Sequence, residues 1–233
     1  MDPQKLYTEF GLDERLGHEC AYCGLVADTA DHVPSRVLLD DPLPADLPVV
    51  PACAKCNRGF SKDEEYVACF LECVLAGVVE PDRLRPKISA ALRHSSRLAA
   101  QIASSARADA ASRLLWTPDL PRVANVVVKL ARGHAMYEGS SSHIDPPRSV
   151  TFTPFLSMTI DERDDFERAG AGELCGWPEL GSRAFLRAAG LHPSSDQVGP
   201  WVQVQAERYR YSVDEGSVRI VLSEYLACRV EWT

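Results

Sequence analysis

The sequence predicts an α+β fold in three parts: a cysteine-rich N-terminal module, central helices and an antiparallel β-rich C-terminal region. Two Cys-x-x-Cys pairs, Cys20 with Cys23 and Cys53 with Cys56, lie in a short region rich in proline. Apolar residues recur at helical spacing through the middle of the chain, and the last third is rich in Val and Tyr. The predicted segments are 1–80, 81–140 and 141–233.

Length and composition narrow the class of protein. The 233 residues suffice for one large domain or two small ones, and the hydrophobic fraction of 45% is ordinary for a globular protein. No apolar run approaches the roughly 20 residues that span a bilayer, and the N-terminus lacks the apolar core of a secretory signal. We therefore expect a cytoplasmic protein with no membrane partner and with reduced thiols, a setting in which paired Cys-x-x-Cys spacings favour metal over disulfides.

Periodicity and turn residues place the elements along the chain. Ser61 and Glu64 fit a capping box, so we expect a helix that starts there and ends near Gly77. Pro121 is well placed in the first turn of another helix, which should extend to about residue 137. The remaining predicted elements are a lead-in helix at 6–15, a loop at 38–48, a return strand at 49–50, helical sequence at 88–115, a β-like segment at 149–160, a short helix at 183–189 and a terminal hairpin of 201–213 with 218–232.

The two thiol pairs are separated by 29 residues and could close a tetrahedral zinc site of the structural kind. The region between them is too short and too rich in proline to bury much core, so a metal staple would contribute folding free energy directly. Cys69 and Cys73 lie four apart in an apolar stretch, and we interpret them as small buried residues. Cys175 and Cys228 are isolated and are expected to be structural.

Asp31 and His32 lie between the thiol pairs, and Asn57 directly follows the last thiol. A histidine can act as general base on water, and a carboxylate with a carboxamide suits a hard ion such as Mg²⁺. Adjacent residues of a regular strand point to opposite faces, so Asp31 needs an irregular position if both side chains face one ion, and Pro34 could supply it. Taken alone, an Asp-His pair is more often a surface or capping contact, but the flanking thiols and Asn57 favour a site.

These motifs resemble those of the zinc-containing HNH endonucleases, the ββα-metal superfamily, over about residues 18–66. The motifs that carry the resemblance are Cys20-x-x-Cys23, Asp31-His32-Val33-Pro34 and Pro51-x-Cys53-x-x-Cys56-Asn57. The resemblance implies a two-stranded hairpin followed by a helix, with one catalytic divalent ion, Mg²⁺ or Mn²⁺, between them.

The resemblance also implies a role for each matching residue. His32 would activate water, Asp31 and Asn57 would bind the catalytic ion, and the four thiols would hold structural Zn²⁺. Arg58 or Lys62 could stabilise the phosphate under attack, although Lys62 could also be a solvated residue of a helical first turn.

Charge is distributed unevenly along the chain. The net charge is −8, yet residues 82–132 hold ten basic and three acidic side chains, which makes that segment +7 and the remainder −15. A basic stripe on an acidic body can bind phosphates locally. In the endonuclease that the resemblance implies, this segment would contact the backbone of the nucleic acid, which we expect to be DNA. The alternative interpretation is a solvated helix face.

Three functions are compatible with these features. The first is a metal-dependent HNH endonuclease that hydrolyses nucleic-acid phosphodiester bonds, favoured by Asp31, His32 and Asn57. The second is a non-catalytic zinc module of nuclease fold that binds nucleic acid or a protein; the acidic pI and the lack of a clear counterpart to the family's middle Asn or His favour it. The third is an enzyme of different chemistry on the same scaffold. We also consider a homodimer, because C2 dimers are common among soluble proteins.

Overall fold

The chain contains both helices and antiparallel sheets, and its last five described elements are all strands, which confirms the α+β class. The computed structural model describes residues 18–45, 47–110, 114–168, 197–198 and 201–233. The predicted helices at 6–15 and 183–189, and Cys175, lie outside the described residues. The helices are α1 (Ala54–Ala76), α2 (Pro86–His94), α3 (Ser96–Ser105), α4 (Leu120–Gly139) and α5 (Ile160–Glu167). The strands are β1 (Thr29–His32), β2 (Val49–Ala52), β3 (Ala106–Ala108), β4 (Leu114–Trp116), β5 (Ser149–Pro154), β6 (Gln197–Val198), β7 (Trp201–Gln205), β8 (Tyr209–Asp214), β9 (Ser217–Leu222) and β10 (Leu226–Glu231).

The chain forms two compact units, Met1–Gly59 with Val127–Thr233, and Phe60–Val126. Among the described helices, none is both long enough and apolar enough to cross a bilayer.

The described residues of the first unit form two antiparallel sheets. One is the hairpin of β1 and β2, in which the predicted return strand is confirmed. The other has six strands in the order β5-β10-β9-β8-β7-β6. The predicted terminal hairpin is present as β8 and β9, whose turn contains Gly216 at φ +72°. The prediction was incomplete, because each predicted strand is divided in two: 201–213 holds β7 and β8, and 218–232 holds β9 and β10. Strand β10 also pairs with β5, and pairing between segments so far apart in the chain leaves no local sequence pattern.

The second unit is mainly helical. The helical sequence predicted over 88–115 is instead divided into α2, α3 and a short β3–β4 hairpin. Ser95 separates the two helices, since its hydroxyl accepts the amide of Leu98 and so starts α3 anew. Serine is a common N-cap, so Ser95 could have indicated a helix boundary, but apolar residues continue at helical spacing on both sides of it.

Helix α1 begins seven residues earlier than the capping box predicted, so Ser61 and Glu64 lie inside it and that prediction is wrong. The amide of Ala54, in the first turn, donates to Asp28 Oδ1 at 2.6 Å, and the amide of Cys56 donates to Cys53 Sγ at 3.4 Å. The cap therefore comes from a residue 26 positions upstream, and a helix start of this kind cannot be recognised from local sequence.

The helix predicted from Pro121 is confirmed as α4. Its residue Gly133 allows the helix to approach the β1–β2 hairpin closely. A Cβ added at Gly133 would lie 2.5 Å and 2.9 Å from the two methyl groups of Val33, which is fully buried directly after β1. Glycine is needed here for close packing, because any side chain would push Val33 away from the helix.

We expect Gly133→Ala to destabilise the protein by about 1–2 kcal/mol, since overpacking exceeds the gain in helix propensity. Gly59→Ala is the matched control, because Gly59 is also helical and a Cβ there meets nothing within 4 Å. That variant should be neutral or stabilising by up to about 1 kcal/mol. Denaturant unfolding of both variants provides the measurement, and a Gly133→Ala protein as stable as Gly59→Ala would contradict the packing argument.

Candidate metal and active site

The first thiol pair lies on a tight turn. Glu19 and Val26 form an antiparallel bridge, and within it the amide of Gly24 donates to the carbonyl of Cys20 at 2.9 Å. Gly24 has φ +70°, a conformation that glycine adopts without steric cost. The turn brings Cys23 back toward Cys20, and a hydrogen bond from the amide of Ala21 to the carbonyl of Pro51 attaches it to β2.

The second thiol pair sits at the start of α1, and all four sulfur atoms lie within 4.8 Å of one another. The sulfurs of Cys23 and Cys53 are 3.8 Å apart, which matches the edge of about 3.8 Å of a tetrahedron with Zn–S bonds of about 2.3 Å. Within the described ranges this is the one group of three or more His, Cys, Asp or Glu side chains arranged to hold a metal ion. The four thiols could bind a metal such as zinc.

Hydrogen bonding and burial shift the pKa values of the Cys53 and Cys20 thiols in opposite directions. The Cys56 amide lowers the pKa of the Cys53 thiol to about 7, whereas burial raises the pKa of Cys20. A thiolate at the helix start is therefore accessible near neutral pH, and the thiolate is the form that binds a metal.

Asp31 lies in regular β1, paired with Val50, so the irregular position expected from Pro34 is wrong. Side-chain alternation in a regular strand directs Asp31 and His32 to opposite faces. The hydroxyl of Tyr22 donates to Asp31 Oδ2 at 2.7 Å, and the ammonium of Lys129 lies 2.7 Å from the same oxygen. Among the described residues, no group donates to Asp31 Oδ1, which leaves that oxygen for a ligand.

His32 is the last residue of β1 and is partly buried. Its Nδ1 atom is buried and has no hydrogen-bond partner in the described part of the chain. Burial lowers the pKa of His32, the positive charges of Arg36 and Lys129 lower it further, and Asp31 opposes them. The neutral imidazole, which can accept a proton, is therefore favoured at pH 7.

Asn57 lies in the first turn of α1 and reaches back to β1. Its Nδ2 donates to the carbonyl of Ala30 at 2.9 Å and to Thr29 Oγ1 at 3.3 Å. These bonds fix the carboxamide against the residue that precedes Asp31. Nothing described donates to Asn57 Oδ1, so a neutral carboxamide oxygen is available beside the strand that carries Asp31 and His32.

Lys129 is the residue of the candidate site that sequence reasoning missed. It was assigned to the basic stripe, but its side chain is only 1% exposed and its ammonium contacts Ser35 Oγ at 3.0 Å and Asp31 Oδ2. A charged residue on the apolar face of a predicted helix is the signal that could have found it, since lysine is rarely buried without a carboxylate partner.

The accessory candidates and the basic stripe are mostly on the surface. Arg58 and Lys62 have exposed side chains on α1. Arg85, Arg93 and Arg122 of the stripe form ion pairs with carboxylates. In the described part of the stripe, the exposed side chains of Arg97 and Arg107 form no ion pair and could meet phosphates.

The fold and the thiol cluster thus define an α+β protein whose four cysteines could hold a metal such as zinc. No family model matches the chain, and neither a curated protein nor a solved structure matches it.

Proposed function

We propose that this protein is a metal-dependent HNH-type endonuclease that hydrolyses phosphodiester bonds of nucleic acid, with DNA as the expected substrate. The observation that carries the proposal is the hydrogen bond from Asn57 to the carbonyl of Ala30. It ties the carboxamide at the start of α1 to the strand that contains Asp31 and His32. Asp31 Oδ1 and Asn57 Oδ1, which have no donor among the described residues, thus belong to one hairpin and the helix that follows it. The same hairpin carries His32, whose imidazole favours its neutral form.

Structural Zn²⁺ on the four thiols would hold the hairpin against the start of α1. Asp31 and Asn57 would bind Mg²⁺ or Mn²⁺, since hard ions of this kind take oxygen ligands and retain several waters. A divalent ion held there would stabilise the charge that develops on the scissile phosphate and on the leaving 3′ oxygen.

His32 would take a proton from the attacking water. His32 is the last residue of β1, and the charges of Asp31 and Lys129 act on its pKa, so the base and the ion ligand Asp31 lie in one neighbourhood. Arg58 and Lys62, both exposed, are candidates for contacts to the substrate phosphates.

We expect Asn57→Ala to lower Mn²⁺-dependent plasmid nicking by about 10–100-fold, because one ion ligand and the tie to Ala30 are both lost. Asn125→Ala is the matched control. Asn125 donates its side-chain amide to Asp63 at 2.7 Å, in the second unit, and its loss should leave nicking near the wild-type rate. The assay titrates Mg²⁺ and Mn²⁺ into both variants and the wild type, and equal nicking by Asn57→Ala and wild type would contradict the assignment.

A second candidate function is a non-catalytic zinc module that binds nucleic acid or a protein. The ion pair of Lys129 with Asp31 favours it, because a buried ammonium already neutralises the carboxylate. A purified protein that binds DNA but nicks no plasmid with either divalent ion would support this function over the endonuclease.

A further inference from the structure

The carboxylate of Asp31 is bound asymmetrically. Its two partners among the described residues, the hydroxyl of Tyr22 and the ammonium of Lys129, both contact Oδ2 at 2.7 Å. A carboxylate with one oxygen bound by two donors has a fixed plane, so the direction of Oδ1 is fixed as well. A ligand on Oδ1 would then meet an oxygen that needs no reorientation.

Tyr22 takes its position from the metal-binding turn, because it lies between Cys20 and Cys23. Its side chain is 3% exposed, and its carbonyl accepts a hydrogen bond from Arg132 Nη1 at 3.2 Å. The phenol ring therefore has little freedom apart from the turn itself. A metal ion that holds the Cys20 and Cys23 thiols together would therefore also fix the Tyr22 hydroxyl beside Asp31.

The two partners of Asp31 differ in charge. The ammonium of Lys129 orients the carboxylate but repels a second cation on it, whereas the hydroxyl of Tyr22 orients it without that repulsion. The ammonium of Lys129 also lies 5.5 Å from the centre of the Tyr22 ring, within cation–π range. This contact involves the ring and does not need the hydroxyl. Tyr22→Phe would therefore remove one hydrogen bond and retain the ring, the packing and the contact to Lys129.

We infer that Tyr22 is a positioning residue that couples the four-thiol metal site to the candidate active site by holding Asp31 Oδ2 and directing Oδ1 to the divalent ion. This inference rests on the proposed endonuclease function. It assigns a role to the residue inside the first Cys-x-x-Cys pair that its spacing does not suggest, and it makes ion binding at Asp31 depend on the integrity of the turn.

The test compares Tyr22→Phe with wild type in Mn²⁺ binding, measured by the loss of the free-ion EPR signal, and in zinc content, thermal unfolding and plasmid nicking. Tyr66→Phe is the matched control, since Tyr66 is 1% exposed and its hydroxyl accepts the amide of Asp119 in the second unit. We expect Tyr22→Phe to retain zinc and its unfolding temperature while Mn²⁺ affinity and nicking fall about 10–100-fold. Tyr66→Phe should bind Mn²⁺ as wild type does.

Each other outcome overturns the inference in a distinguishable way. A Tyr22→Phe protein that binds Mn²⁺ and nicks like wild type removes the positioning role and leaves the proposed function intact. A variant that loses zinc together with Mn²⁺ affinity shows that the hydroxyl is structural. A wild-type protein that neither binds Mn²⁺ nor nicks DNA overturns both the inference and the proposed function.

Discussion

Replacing His32 with alanine is expected to lower plasmid cleavage by about 10²–10⁴-fold, the usual contribution of a general base. His32 ends β1, its Nδ1 atom is buried, and burial together with Arg36 and Lys129 lowers its pKa. The neutral imidazole can take the proton that the attacking water must lose. Because the side chain makes no hydrogen bond with the described residues that the fold would miss, zinc content and stability should remain near wild type.

His94→Ala is the control for this experiment, since His94 ends α2 with an exposed side chain in the second unit. Its loss should leave the rate of cleavage near that of wild type. Nicking is followed over time with Mg²⁺ and with Mn²⁺, alongside circular dichroism and zinc analysis of each protein. Cleavage by His32→Ala at the wild-type rate would remove His32 from the mechanism.

Replacing Cys53 with alanine is expected to release the metal and unfold the hairpin. Structural zinc supplies about 10–16 kcal/mol of binding free energy, as much as or more than the about 5–15 kcal/mol by which a whole domain is stable. The unfolding should extend over residues 18–60, because the first turn of α1 and the turn of Cys20 and Cys23 would lose their common anchor. Removal of the metal from the wild type with a chelator should have the same effect.

Cys73→Ala separates metal binding from ordinary packing. Cys73 is fully buried, whereas Cys53 is only partly buried, so packing alone predicts that Cys73→Ala costs more. Metal binding predicts the opposite order, with Cys73→Ala retaining a full complement of zinc. Elemental analysis and hydrogen exchange across residues 18–60 distinguish the two, and a Cys53→Ala protein with normal zinc and normal protection would contradict a metal site on the thiols.

The parts of the fold that the sequence predicted correctly are those with local signals. The spacing of the four cysteines, the return strand at Val49 and the helix from Pro121 each depend on residues within a few turns or one motif. A Cys-x-x-Cys pair needs only its own turn to bring two thiols together. Two such turns, joined by the regular β1–β2 hairpin, bring the four thiols together.

The parts that were missed depend on partners far away in the chain. Asp28 caps α1 from 26 residues upstream, and Lys129 contacts Ser35 from 94 residues away. Both contacts are set by tertiary structure. The position of Lys129 on an apolar helix face indicates that it is buried, but the sequence does not identify the partner of either residue. The regular register of Asp31 was missed for a related reason, since Pro34 suggested a local distortion that the β1–β2 ladder does not have.

A metal ion on the four thiols would brace the hairpin and the helix so that Asp31 and Asn57 can share a divalent ion. The decisive experiment is a crystal structure of the zinc-bound protein soaked in Mn²⁺, with anomalous scattering recorded at the manganese edge. The predicted result is a manganese peak within about 2–2.5 Å of both Asp31 Oδ1 and Asn57 Oδ1. Manganese bound elsewhere, or Asp31 still closed on Lys129 with no peak at saturating Mn²⁺, would contradict the claim.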